Sequence, residues 1–219
     1  MLAAQSKLKC ADISWELRSR IATHVLPPGS KLAENDLAQE FDVPRSRVRE
    51  ALAVLEQRGL IERIPNRGAV VIRLEPALVG SLYEVREVLE GSCVRLATLR
   101  APNSQWARWL AHFQGPMVEH VGTGRLDEYI RDYEAFRAEM IEACGNPVLQ
   151  QMLDSILERT QTVIRRIIIL PGRAALGLAQ HTAVLEAMVA GQHDRAEQLR
   201  RENMRSAREF FDRYQKYIL

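Results

Sequence analysis

The amino-acid sequence predicts a mostly α-helical protein, in which three short helices and a β-hairpin precede an all-α antiparallel helical bundle. Between residues 12 and 58 apolar residues recur at helical spacing, and two β-rich runs then flank a Pro-Asn-Arg-Gly turn. Beyond Leu74 strand patterns disappear and long helical segments follow one another. Three helices and a hairpin in this order are typical of a winged helix-turn-helix. We therefore predict a winged helix-turn-helix domain at 1–75 and a bundle domain at 76–219.

The first three helices follow from apolar side chains placed three or four residues apart. The residues with this spacing are Ile13, Leu17 and Ile21, then Leu37 and Phe41, and then Val48, Leu52 and Leu55. The segment LPPGS at 26–30 separates the first helix from the second, because its prolines and glycine favour a turn. Val43 and Pro44 mark the start of the third helix, since proline suits a first helical turn.

The wing is predicted from the runs LIERI at 60–64 and AVVIRL at 69–74. Both are rich in β-branched residues, and the turn from Pro65 to Gly68 lies between them. Glycine in that turn tolerates the positive φ that a hairpin connection requires.

The bundle begins with a long helix that has Pro76 in its first turn, where a missing N–H costs nothing. Glycine-containing breaks separate the later helical segments, which is the pattern of an antiparallel bundle. Those segments are predicted near residues 103–121, 125–144, 147–170, 174–190 and 193–217. Trp15, Trp106 and Trp109 are expected to pack in the interior.

Composition limits the class of protein. The chain has 219 residues, 47% of them hydrophobic and 26% charged, with a net charge of +2, so a polyanionic partner must be bound by local patches. Its cysteines, Cys10, Cys93 and Cys144, are widely spaced, which argues against a disulfide framework and a structural zinc site. The sequence shows no apolar leader and no apolar run of about 18 residues. We expect a cytoplasmic protein with no membrane partner.

Enzymatic motifs are missing from the sequence. It contains no GxxxxGK[ST] and no Gly-x-Ser-x-Gly, and GTGRLD at 122–127 lacks the third glycine and the preceding strand of a dinucleotide site. No histidine follows a glutamate by three residues, as a di-iron bundle requires. We therefore expect neither catalysis nor a cofactor.

Positive charge gathers at the start of the third helix. Its first turns contain Arg45, Ser46, Arg47 and Arg49. The apolar residues of this helix turn one face inward, which leaves these side chains on the opposite or leading face. The N-terminal part of such a helix meets base edges in a helix-turn-helix, where arginine can bond guanine bidentately. Arg67 at the hairpin tip can extend the same contact along the DNA.

The stretch PPGSKLAENDLAQEFDVPRSRVREALAVLEQRGLIERIPNRGAVV, residues 27–71, resembles the DNA-binding domain of the GntR family of bacterial transcriptional regulators. It departs from the family signature at Pro44, where serine is usual, and at Arg47, where proline is frequent. The resemblance implies that Arg45 and Arg49 contact bases and phosphates. The full set of DNA-contacting residues that it implies is Asn35, Arg45, Ser46, Arg49, Asn66, Arg67 and Gly68. Arg47 is added to this set for its place at the start of the third helix.

Three segments of the second half, VREVLEG, FRAEMIEACGNPVL and QHTAVLEAMVAGQHDRAEQL, resemble the all-helical FCD effector domain of the FadR subfamily. Many such domains bind a divalent metal through one Asp and three His, and a carboxylate metabolite completes the coordination. The corresponding positions here are Tyr133, Arg137, His181 and Asn203. Since one imidazole with these neighbours cannot hold zinc, the departure implies a pocket without metal.

We hypothesise that Arg137 takes the place of the metal and binds an acidic effector through its fork of donors. Tyr133, His181 and Asn203 would supply hydrogen bonds, and Arg166 would line the same cavity. Two alternatives stay open, because Arg137 can instead form an internal ion pair and Arg166 can simply flank the core.

The internal partners open to Arg137 are Glu87, Glu90 and Asp132. Asp132 itself is one residue away from the family's ligand position and points about 100° away on a helix, so it is not a substitute ligand. Arg86 and Glu90 are four residues apart and are expected to form a structural ion pair.

The function that follows is a ligand-responsive bacterial transcriptional regulator. Two-fold symmetry of a homodimer would match a near-palindromic operator in double-stranded DNA. The effector would be a small carboxylic acid metabolite that changes operator affinity. The alternative is a dimeric DNA-binding protein whose bundle has no effector and only dimerises, and binding of a small acid that changes operator affinity separates the two.

Overall fold

The computed structural model describes residues 10–23, 25–65 and 67–218. The chain divides into two compact units, Met1–Leu74 and Glu75–Leu219, and each has its own hydrophobic core. The mostly α-helical fold that the sequence predicts is confirmed.

The described part of the N-terminal unit contains three helices, α1 (Cys10–Ala22), α2 (Glu34–Glu40) and α3 (Arg45–Gln57). Each buries the apolar face that its spacing predicts. The buried helical residues are Ile13, Leu17, Leu37, Val48, Ala51, Leu52 and Leu55. Pro44 caps α3 with φ −59° and ψ 145° and does not belong to its first turn, so the helix begins one residue later than predicted.

The predicted hairpin forms, and a third strand joins it. β2 (Ile61–Ile64) pairs antiparallel with β3 (Gly68–Val71). β1 (Lys31–Leu32) pairs antiparallel with the other edge of β3, which gives the order β1-β3-β2 in the described sheet. β1 was not predicted, because two residues are too few to show an alternating pattern.

In the described part of the bundle unit every regular element is an α-helix. The first of these helices begins at Pro76 as predicted. Its helices are α4 (Pro76–Arg100), α5 (Asn103–Gln114), α6 (Pro116–Gly122), α7 (Leu126–Ala143), α8 (Pro147–Ile168), α9 (Arg173–Val189) and α10 (His193–Ile218). The longest pair, α4 and α10, pack along each other, and α9 packs against α10 and α5. Among the described residues, no helix has both the length and the hydrophobicity needed to cross a bilayer.

The single helix predicted at 103–121 is wrong, since it is divided into α5 and α6. Gly115 lies between them with φ −116° and ψ −95°, and Pro116 opens α6. Proline removes a backbone donor and disfavours helical backbone at the residue before it, so the chain must turn at this point.

The bundle core is rich in aromatic residues. Trp106, Phe113 and Phe136 are fully buried, and Trp109 is nearly so. Trp15 in α1 was also expected to pack inside, but 64% of it is exposed, so that expectation is wrong. It belongs to α1, whose buried apolar positions are Ile13 and Leu17.

Candidate nucleic-acid interface and buried polar cluster

The exposed face of α3 carries the arginines that the sequence singles out. The helix begins at Arg45, and the side chains of Arg45 and Arg49 are 60% and 59% exposed. Asn35 and Ser46 are also exposed, whereas Arg47 is half-buried. The buried apolar side of α3 thus leaves two guanidinium groups in solvent near the positive end of the helix dipole.

Glu34, the first residue of α2, connects these arginines, although it was not among the predicted DNA-contacting residues. Its carboxylate accepts hydrogen bonds from Arg49 Nη2 at 2.9 Å and Nε at 3.2 Å. Nitrogens of Arg45 and Arg63 lie 3.8 and 3.7 Å from the same carboxylate. The hydrogen bond from Arg49 lowers the pKa of Glu34, and the positive charges around it act in the same direction.

The wing tip adds a further positive group. Arg67 is exposed, and its N–H donates to the carbonyl of Ile64 at 3.0 Å. Gly68 has φ +80°, a backbone conformation that favours glycine, as predicted for the turn. Asn66, the remaining predicted tip residue, lies outside the described residues.

This arrangement is suited to a polyanion. The contacts of Glu34 bring α2, α3 and β2 together, so the arginines of separate elements lie around one carboxylate. Guanidinium groups that remain solvent-exposed in such a cluster can donate to phosphate oxygens or to base edges.

In the bundle, three of the five proposed effector residues surround a side chain that sequence reasoning missed. The guanidinium of Arg200 in α10 is fully buried. Its nitrogens lie 2.9 Å from His181 Nδ1, 3.3 Å from Asn203 Oδ1 and 3.3 Å from Tyr133 Oη. The signal that could have found it is a lone arginine on the apolar face of α10, one turn before Asn203.

Glu90 supplies the negative charge in this cluster. Arg200 donates to Glu90 Oε2 through Nε at 2.9 Å and also through Nη2, and Arg86 donates to Oε1 at 2.5 Å. The expected ion pair between Arg86 and Glu90 is therefore present. Burial raises the pKa of Glu90, but Arg200 and Arg86 outweigh it and hold the pKa at about 2. Burial, together with Arg200, lowers the pKa of His181 well below its usual value, so the imidazole is neutral.

A small cavity of about 30 Å³ lies beside the cluster. Tyr133, His181 and Asn203 line it, together with Arg173, the first residue of α9. The other lining residues are Tyr83, Arg86, Tyr129, Ile164, Ile167, Ile168, Gly177, Met204 and Ala207. A volume of this size holds about one water molecule.

Arg137 and Arg166, the two other predicted effector residues, are not among the residues that line this cavity. Arg137 is buried, with its guanidinium 5.5 Å from the centre of the Tyr133 ring, and its Nη1 has no hydrogen-bond partner among the described residues. Arg166 is half-buried in the last turn of α8. Of the internal partners open to Arg137, Asp132 is instead 2.8 Å from His112.

Sequence models of two protein families cover most of the chain. The model for "Bacterial regulatory proteins, gntR family" matches residues 10–71. The model for the FCD domain matches residues 81–206, more than half of the chain. The chain belongs to the GntR family. It is a transcriptional regulator with an FCD domain, and its family consists of regulators and not enzymes, as the sequence predicted.

Two relatives of this GntR regulator match it over part of its length. The gluconate operon transcriptional repressor of Bacillus licheniformis is 45% identical over 36% of this chain and 32% of its own length. The Nta operon transcriptional regulator of Aminobacter aminovorans is 31% identical over 60% of this chain and 62% of its own length. The aligned part is thus less than two thirds of either relative.

Solved structures show the same fold for the GntR regulator over nearly its whole length. E. coli McbR/YncC matches with a TM-score of 0.75 over 95% of this chain and 98% of that chain. Sequence identity is 20%, so the likeness concerns the fold alone.

The buried cluster of this FCD domain does not fit a divalent metal. The oxygen and nitrogen atoms of Tyr133, His181 and Asn203 that could bind a metal already face the Arg200 guanidinium. The fixed positive charge of this group would repel a cation. Among the described residues, no group of three or more His, Cys, Asp or Glu side chains is placed to hold a metal ion. The guanidinium of Arg200 thus lies among Tyr133, His181 and Asn203, where a metal ion would have to bind.

Proposed function

We propose that this GntR regulator binds a near-palindromic operator as a homodimer and that a small acid bound in its FCD domain changes operator affinity. The observation that carries the DNA-binding part is the exposure of Arg45 and Arg49 at the leading end of α3. Because bacterial DNA is cytoplasmic, we propose the cytoplasm as its place of action.

Footprinting on the DNA upstream of the chain's own coding region tests the operator. Two protected half-sites about one helical turn apart, or a multiple of it, are expected from a two-fold symmetric pair of domains. Light scattering of the isolated complex should give two chains per duplex. A single protected half-site bound by one chain would contradict the dimer.

Exposed apolar side chains on α4 support the homodimer. Val85 and Val88 are one helical turn apart and about half exposed. A second copy packed on this face would remove both from water. Val88→Asp should therefore convert the dimer to a monomer in size-exclusion chromatography with light scattering, whereas Val118→Asp on α6, a valine of similar exposure, should not.

The effector part rests on the buried positive cluster around the cavity. Arg86, Arg173 and Arg200 bring three guanidinium groups to one region, together with Tyr133 and other hydrogen-bonding groups. An acid is the ligand that such donors bind best. We propose release of the operator on binding, by analogy with relatives that are named repressors. Fluorescence anisotropy of an operator duplex, with and without candidate acids, tests this coupling.

One observation favours the alternative in which the bundle only dimerises. The cavity encloses about 30 Å³, less than an organic acid occupies, so a ligand must displace side chains to enter. If no small acid changes the thermal midpoint or the operator affinity, the bundle serves dimerisation alone.

A further inference from the structure

The interior of the FCD domain contains more positive than negative charge. Four arginines are less than a tenth exposed, and Glu90 is the single buried carboxylate among the described residues. The arginines are Arg86, Arg137, Arg173 and Arg200. His181 is neutral and cannot change the balance. Three positive charges therefore remain without a buried counter-charge, although an unpaired buried ion is among the most costly groups in a folded protein.

Glu90 cannot compensate Arg173. Both of its oxygens are engaged by Arg86 and Arg200. The Nε of Arg173 has no hydrogen-bond partner among the described residues, and its Nη1 has one long contact of 3.4 Å to Gln180 Oε1. The guanidinium otherwise lies 5.4 Å from the centre of the Phe210 ring. Burial lowers the pKa of Arg173, which reflects the cost of its charge in this place.

The position of Arg173 in the fold raises that cost. It is the first residue of α9, a helix of 17 residues with no acidic residue in its first turn and no side-chain cap. The N-terminus of a helix has a partial positive charge, which disfavours a cation and favours an anion. An unpaired guanidinium and a helix N-terminus thus point to the same kind of ligand at the same wall of the cavity.

Gly177, one turn further along α9, keeps space open beside this group. A Cβ at this position would lie 3.2 Å from Arg173 Nη1 and 3.3 Å from Tyr129 Oη. Any side chain here would press on both donors. The hydrogen bond from the Arg173 side chain to Gln180 is long, so this side chain can move with little loss to admit a ligand larger than the present cavity.

We infer that the ligand of this cavity is a small organic dianion, with one acidic group bound by Arg173 at the N-terminus of α9 and the second facing Arg86, the other arginine that lines the cavity. This inference rests on the proposed effector function and specifies the charge of the effector. Arg137 is not among the residues that line the cavity, and of the two other uncompensated positive charges a monoanion would leave one unpaired. A small dicarboxylate has this chemistry, with one charged group at each end.

The inference is tested first without any ligand. Arg173→Met keeps the length of the side chain and removes a charge that has no partner, so the thermal midpoint of the dimer should rise by about 2–4 °C. Arg200→Met removes the partner of Glu90 and should lower the midpoint. If Arg173→Met lowers the midpoint as Arg200→Met does, Arg173 is a structural residue and the inference fails.

The second test compares ligands that have nearly the same shape but differ in charge. Malonate, succinate and glutarate are each titrated beside their half-amides, which have one charge fewer, at equal ionic strength. At least one dianion should raise the thermal midpoint more than its half-amide. The rise should be lost in Arg173→Met and kept in Arg131→Met, an exposed site on α7.

The outcomes also separate this inference from the effector function. Equal stabilisation by a half-amide and its dianion would contradict the inference that the ligand is a dianion, but it would not contradict the proposed acid effector. Absence of stabilisation by every anion, with operator affinity unchanged, would overturn both.

Discussion

Arg49 of α3 and Glu34 of α2 are joined at two points, since Arg49 Nη2 donates to Glu34 Oε2 at 2.9 Å and Nε donates to Oε1 at 3.2 Å. The Arg49 side chain is nevertheless 59% exposed. One edge of the guanidinium is thus held by the protein while the rest faces solvent. Such a contact fixes the direction of a long side chain before DNA arrives, which reduces the entropy lost on binding.

Replacing Glu34 with glutamine should therefore reduce specificity more than affinity. Glu34→Gln loses the ionic contact that orients Arg49 and also removes a negative charge near the phosphates. We expect discrimination between operator and unrelated duplex to fall by about tenfold, while affinity for unrelated duplex rises. Anisotropy titrations on both duplexes measure this ratio. Glu142→Gln, a substitution at an exposed residue of the bundle, is the control. An unchanged ratio in Glu34→Gln would show that DNA recognition does not need Arg49 to be oriented by Glu34.

Two ion pairs between α4 and α10 offer a matched comparison of buried and exposed contacts. Glu90 and Arg200 are fully buried, whereas Glu84, which accepts from Arg208 at 2.8 Å, is 62% exposed. Glu90→Gln leaves Arg86 and Arg200 without a counter-charge and should lower the free energy of unfolding by about 3–5 kcal/mol. Glu84→Gln should cost at most about 1 kcal/mol. Chemical denaturation of both variants tests this, and equal losses would contradict the charge assignment of the cluster.

The pH dependence of stability follows from the same carboxylate. The pKa of Glu90 is about 2 in the folded chain and lies below its unfolded value. The stabilisation of the folded state by ionised Glu90 is therefore complete at pH values above the unfolded pKa, and it is lost as the pH falls towards 2. Wild-type protein should lose stability over this acidic range more steeply than Glu90→Gln does. Parallel curves for the two proteins would show that Glu90 does not titrate in this way.

The purified protein should contain no stoichiometric divalent metal, because the Arg200 guanidinium occupies the centre of the positions that the FCD resemblance assigns to ligands. Elemental analysis should find less than about 0.1 metal per chain, and a chelator should leave the thermal midpoint unchanged. One bound metal per chain, lost together with stability on chelation, would refute the metal-free interpretation.

Thiol labelling tests the packing of the bundle core. Cys10 is half-buried, whereas Cys93 and Cys144 are buried, and the Cys93 thiol donates to the carbonyl of Met140 at 3.7 Å. Burial raises the pKa of the Cys93 thiol, which suppresses the reactive thiolate. Native protein should react with dithionitrobenzoate at one thiol per chain, and denatured protein at three. Cys10→Ser should remove the native reaction, and rapid labelling of that variant would contradict the packing.

The elements that the sequence predicted best are those with a long or repeated signal. Helical spacing predicted Leu17, Leu52 and Leu55 as core residues, and the turn around Gly68 predicted the hairpin. The break at Gly115 was missed although its cause is local, because one glycine-proline pair was outweighed by helical spacing on both sides. The strand β1 was missed because its pairing with Val70 and Ala69 is non-local.

The polar cluster shows where sequence reasoning reaches its limit. The resemblance pointed to Tyr133, His181 and Asn203, which line one cavity. It did not point to Arg200 or Arg173, and Glu90 was predicted only as a partner of Arg86 or Arg137. Contacts such as the one between Arg200 and Glu90 span 110 residues and depend on how α4 and α10 pack. Arg173 follows a loop, and its burial is set by the surrounding helices and not by its neighbours in sequence.

Operator affinity of arginine variants tests the central claim most directly. Anisotropy titrations at two salt concentrations compare wild type with Arg45→Ala, Arg49→Ala and the exposed bundle control Arg131→Ala. Arg45→Ala and Arg49→Ala should each weaken operator binding by about tenfold or more, with the dimer intact, and any lost phosphate contact should reduce the salt slope by about 1. Arg131→Ala should bind as wild type does. Unchanged operator affinity in both Arg45→Ala and Arg49→Ala would contradict DNA recognition by the exposed face of α3.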